Sequence, residues 1–225
     1  MKKERVSIAI PTGALLPGAL KLLGRSGVAR LNGAELGRQL LVDRTAVRVI
    51  LVRPADVPAY VDHGAADLGI VGKDVLWESP GAHYELVDLR FGGCRLVLAV
   101  PASSKLAGPE TWPPLFRLAT KYPRTTASWF EAHGQSVEIV RLHGSVELAP
   151  QVGLVDGIVD LTASGRTLRE NQLRIAAVLG SSTARLIANE ASLKTRTAAV
   201  QSLVGRLRAA ADHRARGAAA SRVAR

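Results

Sequence analysis

The chain has 225 residues, 47% hydrophobic and 22% charged, a balance that supplies a globular core and excludes a disordered polyampholyte. No apolar run approaches the ~18 residues of a membrane span, and Cys94 alone permits neither an internal disulfide nor an all-cysteine metal site. The net charge of +11 suits polyanionic partners such as nucleotides or phosphosugars, and six arginines against Asp212 concentrate much of it beyond position 205.

Val6 to Ile10 is a compact apolar strand that Pro11-Thr12-Gly13 breaks. Leu15, Leu16, Ala19, Leu20, Leu22 and Leu23 then recur at helical spacing, so the chain opens on a β–loop–α unit. Val47 to Val52 reads as a second strand, and Pro54 starts a helix through Val61. Asp67 to Val71 is a short buried strand, Gly72 a turn and Lys73 to Trp77 a helix start. Leu86 to Leu89 and Cys94 to Val100 are strands around Phe91-Gly92-Gly93, a natural junction from one lobe to another. A second lobe follows: strand 117–120, helix 122–133, strand 137–142, and a short helix at Val146 that Ser145 is expected to cap. Strands over 174–179 and 184–188 lead back, and 191–211 reads as one long helix. Alternating strands and helices predict an α/β fold with mainly parallel sheets. The expected lobes are 1–92 plus 179–211 and 93–178, with a ligand cleft between them and a frayed or disordered basic tail over 212–225.

The stretch Asp156 to Leu168 carries the chemistry. Ile158, Val159 and Leu161 form a strand; Thr162-Ala163-Ser164-Gly165-Arg166-Thr167 is a hydroxyl-rich turn; Leu168-Arg169-Glu170 begins a helix. Backbone N–H groups at such a turn converge on one point, which outlines a phosphate site, and Asp160 stands where it can reach sugar hydroxyls. An ordinary β-to-α turn with Ser164 or Thr162 as N-cap fits the same residues. A nucleic-acid role has less support, because only 4% of the residues are aromatic and no binding motif interleaves with the basic ones. No histidine pair has metal-ligand spacing.

Five blocks in order resemble the ATP phosphoribosyltransferase family: 66–74, 91–96, Ala119-Thr120-Lys121-Tyr122-Pro123, the run from Glu147 through Gly153 to Leu168, and 185–189. The resemblance implies two lobes similar to type II periplasmic binding proteins. It also implies attack of adenine N1 of ATP on the anomeric carbon of phosphoribosyl pyrophosphate, with Mg2+ carried on the diphosphate and ATP. By position, Asp160 and Glu147 would be catalytic; Asp156, Asp160, Thr162, Ala163, Ser164, Gly165, Arg166 and Thr167 would hold phosphoribosyl pyrophosphate. Pro11, Gly13, Gly72, Lys73, Asp88, Phe91, Gly92 and Arg95 would hold ATP. Neither a nucleophilic side chain nor a dedicated metal cage is required, since both reacting groups belong to substrates. The chain length resembles the family's short form, which implies a histidyl-tRNA-synthetase-like regulatory subunit, a hetero-oligomer with a homodimeric catalytic unit, and a cytoplasmic setting. Family members continue the first strand as Pro-Lys-Gly-Arg, where this chain has Pro11-Thr12-Gly13-Ala14. Gly93 stands where an aromatic is common, Val155 where a small residue is usual, and Gln172 where glycine is usual. A non-catalytic two-lobed module that binds or senses small anions would share the fold.

Overall fold

The computed structural model describes residues 5–31, 39–106, 108 and 111–223, with side chains to residue 213. The chain divides into two compact units, one of residues 1–92 and 183–225 and one of residues 93–182.

In the first unit β1 (Val6–Pro11) leads through a 3-10 turn (Gly13–Leu15) into α1 (Leu16–Arg25). Then come β2 (Leu41–Asp43), β3 (Val47–Val52), α2 (Val57–Asp62), β4 (Leu68–Gly72), α3 (Lys73–Glu78) and β5 (Tyr84–Asp88). Proline in the first turn of α1 and of α2 starts each helix without losing a hydrogen bond. The six strands run β2-β3-β1-β4-β11-β5, where β11 is Ala184–Ala188. Period-two alternation in β1 sends Ile8 and Ile10 to one face and Ala9 to the other. The first face packs with Leu23 of α1 and with Val200 and Leu207 of α7 (Thr197–Val223), the second with Val57 and Val61 of α2. Each fully buried side chain of this size contributes about 1.5–3 kcal/mol. The aliphatic helix expected over 191–211 is two helices, α6 (Glu190–Thr195) and α7, because the chain leaves helical geometry at Arg196. The backbone of α7 is helical to Val223, whereas the sequence suggests a tail that frays or is disordered from 212.

The second unit comprises β6 (Cys94–Pro101), β7 (Phe116–Thr120), α4 (Pro123–Ala132), β8 (Val137–Arg141), β9 (Gly157–Thr162), α5 (Arg166–Glu170) and β10 (Leu173–Ser182). Its sheet runs β10-β6-β9-β7-β8. One face carries Val97, Ala119, Val146, Val155, Ile158 and Leu168; elsewhere Trp112, Phe116 and Phe130 pack in tilted and edge-on pairs at ring separations of 5.1 to 6.1 Å. β10 stays paired with β6 as far as Ser182, so residues 179–182 fold with this unit.

Both sheets are mixed, which corrects the expectation of mainly parallel strands. β1 is parallel to β3 and β4, and β7 to β8 and β9, but β2, β6, β10 and β11 pair antiparallel with their neighbours.

Candidate active site

β9 delivers Asp160 and Thr162 to the same face, two residues apart, and the turn beyond it enters α5. Gly165, at φ 72°, occupies the helix N-cap position, so neither Ser164 nor Thr162 is the cap residue itself. Both hydroxyls still bind the turn. Thr162 Oγ1 accepts the Gly165 N–H at 2.8 Å, and Ser164 Oγ accepts the Arg166 N–H at 3.3 Å. Arg169 ties the turn from the helix side by donating to the Ser164 carbonyl at 3.2 Å. Thr162 and Gly165 are buried, while Ala163, Ser164, Arg166 and Thr167 are exposed. An oxyanion at this turn therefore meets an exposed rim on a braced floor. Arg166 pairs with Glu170 at 2.7 Å on the surface.

Asp160 is partly buried, and its carboxyl is pushed above the usual range. Burial is the main cause; the Leu161 backbone N–H and Lys121 oppose it, and the Glu147 carboxylate adds to it. β7 sets this cluster, since Thr120 is registered opposite Val159 and brings Lys121 beside Asp160. Lys121 lies in a sequence block that reads as a helix start, with no site role expected from the sequence. The signal that would have found it is the parallel register of β7 and β9, which one sequence does not disclose. Glu147 sits in a 3-10 turn (Val146–Leu148) whose leading residue, Ser145, is left-handed at φ 46° and makes no side-chain cap bond. The expected Ser145 cap bond is therefore absent, and the left-handed backbone departs from the extended geometry in which a capping serine makes it.

Asp156 has a holding role. Its Oδ2 accepts the Arg117 N–H at 2.9 Å and lies 3.7 Å from Arg117 Nε, while its own N–H donates to the Arg117 carbonyl at 2.9 Å. These contacts join the start of β9 to the start of β7.

The residues expected at the nucleotide occupy different settings. Pro11 ends β1, buried, and Gly13 follows in the exposed turn at φ 75° with open space around it. Gly72 is the buried last residue of β4, and Lys73 begins α3 with its ammonium on the Glu85 carboxylate. Asp88 accepts from Thr183 Oγ1 and from the Arg90 N–H, both at 2.8 Å, and faces Arg185 at 3.3 Å. Phe91 is buried in the core, its ring against Gly18 of α1; Gly92, at φ 66°, lies exposed over Leu15. Arg95 belongs to the second unit, opposite Thr162 across the β6–β9 ladder, and so lies beside the hydroxyl-rich turn. Among the described residues no group of three or more His, Cys, Asp or Glu has metal-binding geometry, and no helix is long and apolar enough to cross a membrane.

Two mixed-sheet units, the second interrupting the first in sequence, define an α/β fold of the type II periplasmic-binding-protein kind. The periplasmic aliphatic sulphonate binding protein SsuA of Escherichia coli matches with a TM-score of 0.61 at 13% identity, over 93% of this chain and 69% of that one, which bears on fold alone. The family model for ATP phosphoribosyltransferase (HisG) matches residues 53–209. The ATP phosphoribosyltransferase of Rubrobacter xylanophilus is 48% identical over 199 residues, 88% of this chain and 92% of that protein. A chain of the ATP phosphoribosyl transferase HisG:HisZ complex from Thermotoga maritima matches with a TM-score of 0.78 and 35% identity, over 92% of this chain and 99% of its own. The chain belongs to the ATP phosphoribosyltransferase family.

Proposed function

We infer that this protein transfers the phosphoribosyl group of phosphoribosyl pyrophosphate to N1 of the adenine of ATP and releases pyrophosphate, the first step of histidine biosynthesis. The observation that carries this reading is the family match across residues 53–209, which includes the whole β9–turn–α5 segment. The turn of residues 162–167 receives the 5-phosphate: its exposed rim offers donors, and its buried threonine and glycine hold the shape. Asp160 and Glu147 stand as two like charges whose mutual repulsion helps to raise the Asp160 carboxyl. A developing cationic sugar ring between them relieves that repulsion, so their electrostatic gain is greatest in the transition state. Lys121, beside Asp160, keeps one carboxylate balanced before the ring charge develops. Asp156 supports the strand start and acts on substrate only through β9.

Magnesium fits as a passenger of the substrates, because two carboxylates and a hydroxyl-rich turn offer too few ligands for an all-protein cage. On the diphosphate it neutralises leaving-group charge. ATP is assigned to the first unit around Gly13, Gly72, Lys73 and Gly92, with Arg95 reassigned to the phosphoribosyl side because of its register with Thr162. The other expected ATP residues act as supports there: Pro11 ends the buried strand, Asp88 anchors Thr183 and Arg185, and Phe91 packs the core.

By analogy with the HisG:HisZ complex from Thermotoga maritima, the chain works with a HisZ-type subunit; the short-form resemblance adds that this subunit is similar to histidyl-tRNA synthetase and that the catalytic unit is a homodimer. Its setting is the cytoplasm, where ATP and the biosynthetic intermediates are found. The experiment is to incubate the chain and that subunit with ATP, phosphoribosyl pyrophosphate and Mg2+ and to identify the product by mass. Phosphoribosyl-ATP should form, faster with the second subunit than without it; absence of product under both conditions overturns the reading.

A further inference from the structure

At the C-terminal end of α1 the first unit has a groove of about 450 Å³ whose lining is Arg25, Ser26, Arg206, Ala209, Ala210 and His213. Its polar groups are nearly all donors. Arg206 Nε donates to the Ser26 carbonyl at 3.1 Å, which fixes that guanidinium at the rim with its outer N–H groups available. Gly27 makes room for it: the backbone there has φ 64°, and a Cβ would come within 3.1 Å of Arg206 Nη2. Arg25 Nη2 lies 3.4 Å from His213 Nδ1. A guanidinium has no acceptor, so Nδ1 must accept and the ring presents Nε2–H. The Ser26 hydroxyl is turned inward to the Leu23 carbonyl at 3.0 Å. Asp212, the neighbouring carboxylate, pairs with Arg90 at 3.6 Å instead. No carboxylate faces Arg25 or Arg206 among the described residues, although Arg48, Arg117, Arg166, Arg185 and Arg196 each have one.

Two guanidinium groups and an imidazole N–H around a concave surface, with no carboxylate paired to either guanidinium among the described residues, form a receptor for an oxyanion. We propose that the α1–α7 groove formed by Arg25, Arg206 and His213 is a binding site for the phosphate group of a small molecule. Its volume exceeds inorganic phosphate and admits a phosphorylated sugar, with Ala209 and Ala210 as an apolar floor. The site is separate from the transferase residues. The ten-residue α1 places it about 15 Å from the Gly13 turn at that helix's other end, and none of its six residues belongs to the transfer site.

The test is a titration of the full chain followed by the His213 ring resonance, identified by its loss in His213→Asn. Sodium phosphate is added at fixed pH, with NaCl of equal ionic strength as control. A saturable shift with phosphate, absent with NaCl, is expected, weakened roughly tenfold or more in the exposed-surface double variant Arg25→Gln/Arg206→Gln. Saturation at lower concentration by ribose 5-phosphate also supports the site and identifies a phosphate ester as its source. A shift no larger than NaCl produces, or one unchanged in the double variant, overturns the proposal. Equal saturation by sodium glutamate overturns the assignment to phosphate and points to a carboxylate of a partner. Because the readout is the His213 ring, phosphate bound at the 162–167 turn does not mimic either result.

Discussion

Asp160 meets opposed demands: the proposed chemistry needs its charge, and the fold disfavours it. Burial, helped by Glu147, raises its carboxyl above the usual range, so its contribution to stability is complete below the unfolded value and is lost as pH rises through the folded one. Asp160→Asn should therefore raise the melting temperature at neutral pH, and the gain should vanish below the carboxylate range, where the wild-type group is protonated. Turnover should fall by about a hundredfold or more in the same variant, and a lower melting temperature at neutral pH would refute the electrostatic account. Thr167→Ala, on the exposed rim, should reduce turnover and leave the melting temperature within about a degree. Asp67 is the opposite case. Burial would raise its carboxyl, but bonds from the Ser7 N–H, Ser192, the Ser7 hydroxyl and Arg196 outweigh it and hold it below the usual range. Its stabilisation is present at neutral pH and disappears as pH falls through the folded value. Asp67→Ala removes the carboxylate that Arg196 pairs with at 2.7 Å and should cost about 3–5 kcal/mol in denaturant unfolding at pH 7.

Whole elements depend on single backbone positions that ordinary propensity would fill differently. Gly18 sits inside α1, where glycine costs about 1 kcal/mol against alanine, yet a Cβ there would enter the Phe91 ring. Gly18→Ala should destabilise by about 1–3 kcal/mol despite its better helix propensity, measured as a shift in denaturant midpoint with unchanged slope. Between α5 and β10 the mismatch has the reverse sign. Gln172 is left-handed at φ 55°, a conformation glycine adopts without strain, so Gln172→Gly should stabilise by about 0.5–1 kcal/mol. The same two positions mark how far the sequence could be read. That relatives place glycine at 172 was visible; that the chain turns left-handed there required the backbone. β1, β3, β6 and the β9–turn–α5 segment announce themselves through alternation and glycine, because their apolar faces and turns are local. β2 is three residues with one buried, too short to have a period, and Asp67 with Arg196 closes a contact 129 residues apart. Phe91 reads as a site residue from its motif, and its packing in the core against Gly18, far away in sequence, shows only in the structure.

At the scale of the molecule, the chain leaves the first unit after Gly92 and returns at Thr183, so each unit completes its own sheet around its own core. Sensor modules and transferases alike use such folds, and the sequence therefore established architecture before activity; the homologous transferases remove that ambiguity. Separate cores also make substrate assignment measurable unit by unit, since a ligand suppresses local opening chiefly where it binds. Phosphoribosyl pyrophosphate alone should slow amide hydrogen exchange over 157–170 and around Lys121, with little change at residues 12–16. ATP should slow exchange at 12–16, 72–74 and 92 and leave 157–170 nearly unaltered. At a ligand concentration of a hundred dissociation constants, an amide that exchanges only from a non-binding state gains about 2.7 kcal/mol of protection, about a hundredfold in rate. Protection of 157–170 by ATP alone, with phosphoribosyl pyrophosphate acting at 12–16, would exchange the two assignments. Equal protection of both regions by each ligand would show that neither unit recognises its substrate on its own.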